Sequence, residues 1–371
     1  RLSMDPIVLR QKNMIHEGDV MPAYYGETAN SCRLEECLLK ASDMIGWKEK
    51  GMRTVMPDGK IRARGVAMAM QGSSISNCDV GSVTVKLSDE GTYHITVGCT
   101  DMGTGCDTII AQFAADVLET PIDNISVYGV DTDISPYDSG SYASSTTYLT
   151  GMAAVKACEQ LRERIIALAA VRMNKDASAL TFDGENVIDE SDGAKMSLFD
   201  IATASMCNNE ISLEVTYSHS SPVSPPPFMA ACAEIEADPE TGAIELLDYT
   251  ACVDCGTVVN TNLARVQTEG GLLQGIGMTL YEDIWYDERG KNLSNSFMQY
   301  KVPSRLDTDR IRVEFDSSYE PTGPFGAKSI GEIVINTPAP AIADAVYNAT
   351  GVWINELPIT PEKILKGMKV I

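Results

Sequence analysis

From Val83 to Thr132 the chain reads strand, strand, glycine turn, helix, strand, and this succession narrows the fold further than any other feature. "SVTVKLSDEGTYHITVG" alternates Val83, Val85 and Leu87, then Tyr93, Ile95 and Val97, about a turn at Asp89-Glu90-Gly91. That period of two is the pattern of paired, half-buried strands. "TDMGTGCDTIIAQFAADVLET" runs from a Gly103-Thr104-Gly105 turn into a helix whose apolar residues are Ile109, Ile110, Phe113, Val117 and Leu118. The strand "NISVYGVDT" follows. A Ser/Thr-rich loop, "SPYDSGSYASSTTY", then leads into a long helix predicted over 149–173.

The flanking regions complete the outline. The first 60 residues read as helix and linker. "SCRLEECLLKASDMIGW" sets Leu34, Cys37, Leu38, Ala41, Met44 and Ile45 at helical spacing behind a Ser31 cap, and "GMRTVMPDGKIRARG" reads as a polar connection. The proline cluster Pro222–Pro227 reads as a hinge. Beyond it "AACAEIEADPETGAIELLDYTACVD" predicts a hairpin at "DPETG", Asn262 to Tyr281 a helix, "IRVEFDSSY" a strand, and "PAPAIADAVYNATG" a helix capped by Gly351. Strands and helices mix without strict alternation, so the fold class expected is α/β (α+β), as two mixed subdomains. The expected partition is a helical linker over 1–60, a first subdomain over 61–221 and a second over 222–371.

Composition removes several functions. A net charge of −23, spread along the chain, repels a phosphate backbone and argues against nucleic acid as a partner. No apolar run approaches the roughly 20 residues of a membrane span, so no membrane role is expected. The ten cysteines lack the paired spacing of a disulfide scaffold and read as buried thiols in a reducing, cytoplasmic setting. Cys252-x-x-Cys255 has no second pair or nearby His, and Cys32-x4-Cys37 lacks the rest of an iron–sulfur loop. With three scattered histidines, catalysis by a His base or a His-ligated metal is not expected. The start, "RLSMDPIVLRQKN", suggests a segment of a longer chain or a processed product.

Four stretches carry candidate chemistry. "GPFGAKSIGE" is either a phosphate cradle around Lys328 or a tight turn presenting Glu332. A P-loop needs Gly before its Lys and a helix behind it, but Ala327 precedes Lys328 and apolar residues with prolines follow. The Gly103-Thr104-Gly105 turn is either a plain turn or an anion seat of backbone N–H groups at a helix start. Ser144, Ser145, Thr146 and Thr147 line a second helix start, where N-capping explains one or two hydroxyls and an anion seat would use them all. Two such seats on one subdomain suggest a phosphate-bearing cofactor. Gln274, glycine-flanked inside an apolar helix, either ties off backbone or faces a ligand.

Together these stretches resemble the molybdopterin-binding catalytic subunit of the xanthine dehydrogenase and aldehyde oxidase family, the molybdenum hydroxylases. "MDPIVLRQKNMIHEGD" is similar to the family's DP-x-x-x-R-x-x-N linker. "GCTDMGTGCDTIIAQ" is similar to its G-x-x-E-x-G-Q-G-x-x-T-x-x-x-Q turn, and "DTDISPYDSGSYASSTTYLTGMAA" resembles its pterin loop. "DCGTVVNTNLARVQTEGGLLQGIG" and "GPFGAKSIGE…PAIADAVYNATGVWINELPITPEKIL" resemble its two later signatures. The match runs through essentially all 371 residues.

The resemblance implies the second of the family's two cofactor-binding halves. The first half, two [2Fe–2S] clusters and FAD would then lie on other domains or subunits of an oligomer. It implies molybdenum carried by molybdopterin, the cytosine dinucleotide being one of its forms. Glu332 falls on the family's general base and Gln274 on a glutamine that bonds an oxo ligand of the metal. Gly103, Thr104 and Gly105 fall on the cofactor turn, and Ser144, Ser145 and Thr146 on the loop seating the pterin. Tyr142 and Ala143 fall where that loop approaches the metal. The implied activity is oxidative hydroxylation of a purine or other N-heterocycle, with water as oxygen source. An aldehyde is the runner-up substrate. A non-catalytic, fold-retaining subunit is the competing class, against which the pairing of Gln274 with Glu332 argues. Two positions depart from the family. Thr104 stands where Gln is usual, and "IVIN" replaces the commoner "PP" after Glu332.

Overall fold

The computed structural model describes residues 2–207, 213–304, 306–307 and 310–371, without the Cys207 side chain. The chain divides into two compact units. Unit 1 comprises Arg1–Gln71, Pro225–Glu320 and Ile330–Ile371, and unit 2 comprises Gly72–Ser224 and Pro321–Ser329. Among the described residues no helix is long and apolar enough to cross a membrane.

Unit 1 is a five-stranded sheet covered on both faces. Its strand order is Ile311–Phe315, Ile244–Asp254, Phe228–Ala237, Ile61–Met70, Arg53–Val55, with the first pair parallel and the others antiparallel. Ala67, Ala231, Ala251 and Val313 fall opposite one another across four strands and are buried with the helix Pro338–Thr350. Small side chains let that helix lie close. A Cβ on Gly65 would stand 2.2 Å from the Ala341 carbonyl oxygen. Alternate residues Val66, Phe228, Ala230, Cys232 and Cys252 face the helix Leu34–Ile45 on the other side. A sheet buried on both faces needs apolar side chains at successive positions, hence the near-continuous apolar run from Phe228 to Ala233.

This architecture differs from the linear partition into 1–60, 61–221 and 222–371. Leu34–Ile45 forms one face of the unit 1 core instead of standing in a linker. "GMRTVMPDGKIRARG" is a strand pair instead of a polar connection. Its charges disguise the strand because each has a partner on the next one. Arg62 Nε donates to Glu236 Oε2 at 2.9 Å, and Arg64 pairs with Glu234 inside the sheet. Ser31 does not cap the helix. Its hydroxyl donates to Glu320 Oε2 (2.7 Å), and Arg33 is the N-cap residue, its N–H donating to Asp254 Oδ2 at 2.9 Å.

Unit 2 holds a four-stranded sheet in the order Glu214–His219, Gly81–Leu87, Tyr93–Val97, Ile125–Tyr128. Val83, Val85 and Leu87 pair antiparallel with Val97, Ile95 and Tyr93, and all six are buried. Tyr93–Val97 and Ile125–Tyr128 run parallel, so the helix between them, Cys106–Leu118, is a crossover. The long helix Gly151–Met173 follows a wide helical turn over Thr146–Thr150.

Candidate active site

In unit 1 the helix Thr261–Leu280 and the segment from Gly331 border an open cavity of about 420 Å³. Val266, Gln267, Gly270, Gly271 and Gln274 line it from the helix, and Gly331, Glu332 and Ile335 from the segment. The helical residues recur at intervals of three and four, so they share one face. Helix and segment interlock through missing side chains. A Cβ on Gly271 would stand 2.2 Å from Val334 Cγ2, and one on Gly275 2.6 Å from Pro338 Cγ. A Cβ on Gly270 would meet nothing within 4 Å, because that glycine opens on the cavity.

Gln274 and Glu332, far apart in sequence, thus face one space, and both side chains are exposed. Its place inside an apolar helix suggests burial for Gln274, and the structure leaves it exposed. The flanking glycines mark where the segment presses on the helix, and the glutamine projects past that contact. Gln267, which the sequence reading did not single out, performs the backbone tie considered for Gln274: its Nε2 donates to the Gly331 carbonyl at 3.3 Å. Gln71, at the end of the strand Ile61–Met70, was also missed and donates from Nε2 to Glu332 Oε2 at 3.1 Å. The helical spacing of Gln267 to Gln274 could have signalled the first; nothing local signals the second.

Asp254, in the "DCG" stretch, is another buried organiser of unit 1. Its carboxylate accepts from the Arg33 N–H, the Gly256 N–H (3.0 Å) and the Ser318 hydroxyl (2.7 Å).

Unit 2 carries the expected cofactor-binding residues. At the glycine turn, Gly103 and Gly105 have φ of +105° and +78°, which L side chains rarely adopt. Their N–H groups donate to Asp101 Oδ1 at 2.9 and 3.1 Å, and the Asp107 N–H reaches Oδ2 at 3.5 Å. The chain's own carboxylate therefore occupies the seat anticipated for an outside anion. Asp101 stands at the acidic position of the turn motif, a signal the sequence reading passed over. Burial works to raise its carboxyl, but the N–H groups of Gly103, Gly105, Asp107 and Thr104 together bring it below the usual range. The neighbouring Asp107 is pushed up by burial and by Asp101. What the turn offers outward is the half-buried Thr104 and the open Gly103 surface.

The hydroxyl-rich loop is braced internally. Ser145 Oγ donates to the Gly140 carbonyl at 2.9 Å, and Thr146 Oγ1 to Ser141 Oγ at 2.8 Å. Ala143 and Ser144 both have positive φ, +49° and +56°, a costly geometry for residues other than glycine. Tyr142 beside them is exposed. The Ser144 carbonyl accepts from Ser329 Oγ, which ties this loop to the "GPFGAKS" turn. That turn is tight: a Cβ on Gly323 would lie 1.9 Å from the Ala327 carbonyl oxygen. Lys328 within it is buried, and no helix follows directly, so it is no P-loop. "GPFGAKSIGE" is thus divided, Gly323–Ser329 belonging to unit 2 and Glu332 to unit 1.

The cavity's donor set suits a metal that arrives with its own organic ligands. Gln267, Gln274 and Glu332 offer amides and a carboxylate, no thiol or imidazole is among the described lining residues, and Gly270 leaves room. Residues 40–309 match the model of the molybdopterin cofactor-binding domain family. The chain is 36% identical over its whole length to 40% of "Probable hypoxanthine oxidase XdhD" of Escherichia coli (strain K12). It is 31% identical, over 98% of its length, to 49% of the xanthine dehydrogenase molybdenum-binding subunit of Escherichia coli O157:H7. It therefore spans less than half the length of these relatives. Reconstituted CO dehydrogenase from Oligotropha carboxidovorans superposes with a TM-score of 0.85 at 25% identity, over 99% of this chain and 49% of that one. On the family match and these relatives, the chain belongs to the molybdopterin cofactor-binding domain family of the molybdenum hydroxylases.

Proposed function

We propose that this chain is the carboxy-terminal molybdopterin-binding part of an enzyme that hydroxylates a purine or other N-heterocycle, with water as the oxygen source. The observation that carries the proposal is the meeting of Glu332 and Gln274 on one cavity, whose volume falls within the roughly 300–1,000 Å³ of small-ligand pockets. Replacing C–H by C–OH withdraws two electrons from the substrate. The molybdenum cofactor, when bound, supplies the acceptor for that electron pair. In the complete enzyme that pair would have its onward acceptors in iron–sulfur and FAD groups on other domains or subunits.

The chain's own residues divide the remaining work. Glu332 is the general base, taking the proton that leaves as the new C–O bond forms. Gln274 offers an amide N–H donor from the facing wall. The turn Gly103, Thr104 and Gly105, its Gly103 and Gly105 N–H groups taken by Asp101, would meet the pterin through Thr104 and the open Gly103 surface, with Tyr142, Ala143, Ser144, Ser145 and Thr146 beside the cofactor, and the first cofactor-binding half would complete the substrate pocket. The purine class is favoured because relatives named for hypoxanthine and xanthine are 36% and 31% identical to this chain, against 28% and 29% for those named for aldehydes.

Glu332→Gln in the complete enzyme tests the reading. It keeps the shape and removes the base. Molybdenum content should stay normal while hydroxylation falls by about 10²–10⁴-fold. Unchanged turnover would reject the role. A panel of N-heterocycles and aldehydes decides the class, and activity confined to aldehydes would overturn the purine assignment.

A further inference from the structure

We infer that Gln71 is a positioning residue for Glu332 and that Asn336 holds Gln71 in the orientation this requires. Gln71 directly follows Ile61–Met70, a strand paired on both sides, so the sheet anchors the backbone one residue before it. Its Nε2 donates to Glu332 Oε2 at 3.1 Å, and its Oε1 accepts from Asn336 Nδ2 at 3.4 Å. The two contacts specify each other. A carboxylate only accepts, so Gln71 must turn its NH2 toward Glu332, and its carbonyl oxygen is left pointing at a group that can only be a donor. Asn336 supplies that donor.

The backbone on either side of Glu332 is fixed separately. Gln267 holds the Gly331 carbonyl from the helix, and Ile333 and Val334 are fully buried in the core behind the turn. The side-chain torsions of the exposed carboxylate remain to be set, and Gln71 acts on them through its hydrogen bond. Asn336 belongs to the "IVIN" stretch that replaces the family's commoner "PP". The consequence for turnover rests on the proposed role of Glu332, but the hydrogen-bonded bracket does not.

The test compares the complete enzyme with Gln71→Met, Asn336→Leu and the double variant, in crystal structures and in steady-state kinetics. Met keeps the length of Gln71 without a donor. In Gln71→Met the displacement factor of the Glu332 side chain, relative to its own backbone, should rise about twofold, reporting added amplitude of motion. The rate constant kcat should fall about tenfold with KM unchanged, the signature of lost orientation instead of lost binding. Asn336→Leu should act in the same direction but more weakly. The double variant should match Gln71→Met, because Asn336 acts through Gln71. Gln71→His, which restores an N–H donor, should recover part of kcat. A Glu332 side chain equally ordered in Gln71→Met overturns the proposal, and so does strict additivity in the double variant. If Gln71→Met frees Glu332 while Glu332→Gln leaves turnover intact, the bracket stands and the assignment of the base falls.

Discussion

Gly271 is the position at which one methyl group should separate the two walls of the cavity. Its ideal Cβ lies 2.2 Å from Val334 Cγ2 and 3.1 Å from Val334 Cβ. Carbon atoms in contact sit roughly 3.5–4.0 Å apart, so the closer approach falls short by about 1.3–1.8 Å. Val334 is fully buried, and its branched Cβ resists rotation away. The helix and the segment must therefore part by on the order of 1 Å, carrying Glu332, two residues before Val334, away from Gln274. Displacement of that size is worth about 10²-fold in rate. Overpacking costs about 1–3 kcal/mol, offset in part by the ~1 kcal/mol that Ala gains over Gly inside a helix. The assay is kcat for the complete enzyme beside the urea midpoint, for Gly271→Ala, Val334→Ala and the pair. Gly271→Ala should lose about 10²-fold in kcat with a modest loss of stability. Gly271→Ala/Val334→Ala removes the colliding methyl and should recover most of kcat, while truncation of the buried Val334 keeps its own stability cost. Full turnover in Gly271→Ala, or failure of the pair to recover, would refute the steric account.

Two further outcomes concern the scaffold. Asp101, held below the usual carboxylate range, contributes stability that is present above the unfolded carboxyl value of about 3.9 and is lost as pH falls through its lower folded value. Asp101→Ala should therefore lower the urea midpoint at pH 7 by the equivalent of about 1 kcal/mol, as for a lost helix cap, with the gap closing in more acid solution; a gap as wide at pH 2 contradicts this. Gly65→Ala drives a Cβ to 2.2 and 2.3 Å from the Ala341 carbonyl oxygen and the Ala345 nitrogen, backbone atoms that cannot rotate away. It should destabilise unit 1 by about 3 kcal/mol or more, read as a lower melting temperature, and a near-neutral result would contradict the close packing of strand on helix.

The elements legible in the sequence were those whose burial follows one simple period. The alternation from Val83 to Val97 and the helical spacing from Ile109 to Leu118 gave strands and helix because each presents one apolar face to a single core. The strand Ile61–Met70 escaped notice because its charges, Arg62 and Arg64, are neutralised by Glu236 and Glu234 of the neighbouring strand. No local window contains both partners. The division into units was hidden for a related reason: Pro321–Ser329 and Ile330–Ile371 are continuous in the chain but belong to different cores.

The two glutamines of the helix show how far site reasoning from sequence reaches. An apolar, glycine-flanked helix suggests a buried Gln274. In the structure Gly271 and Gly275 are small because Val334 and Pro338 press on them, and the glutamine on the same helix stays exposed beside the cavity. The glycines therefore report the neighbour's approach, and only indirectly what Gln274 does. Gln267 lies seven residues earlier on the same face, and its amide reaches the carbonyl of the residue before Glu332. One helical face thus provides both the clearance that admits the Glu332 segment and the hydrogen bond that fixes its backbone. It leaves one amide over for whatever enters the cavity. Substitutions at Gln267 should consequently disturb the position of Glu332 first, whereas substitutions at Gln274 should leave that position intact and act only on what the cavity holds.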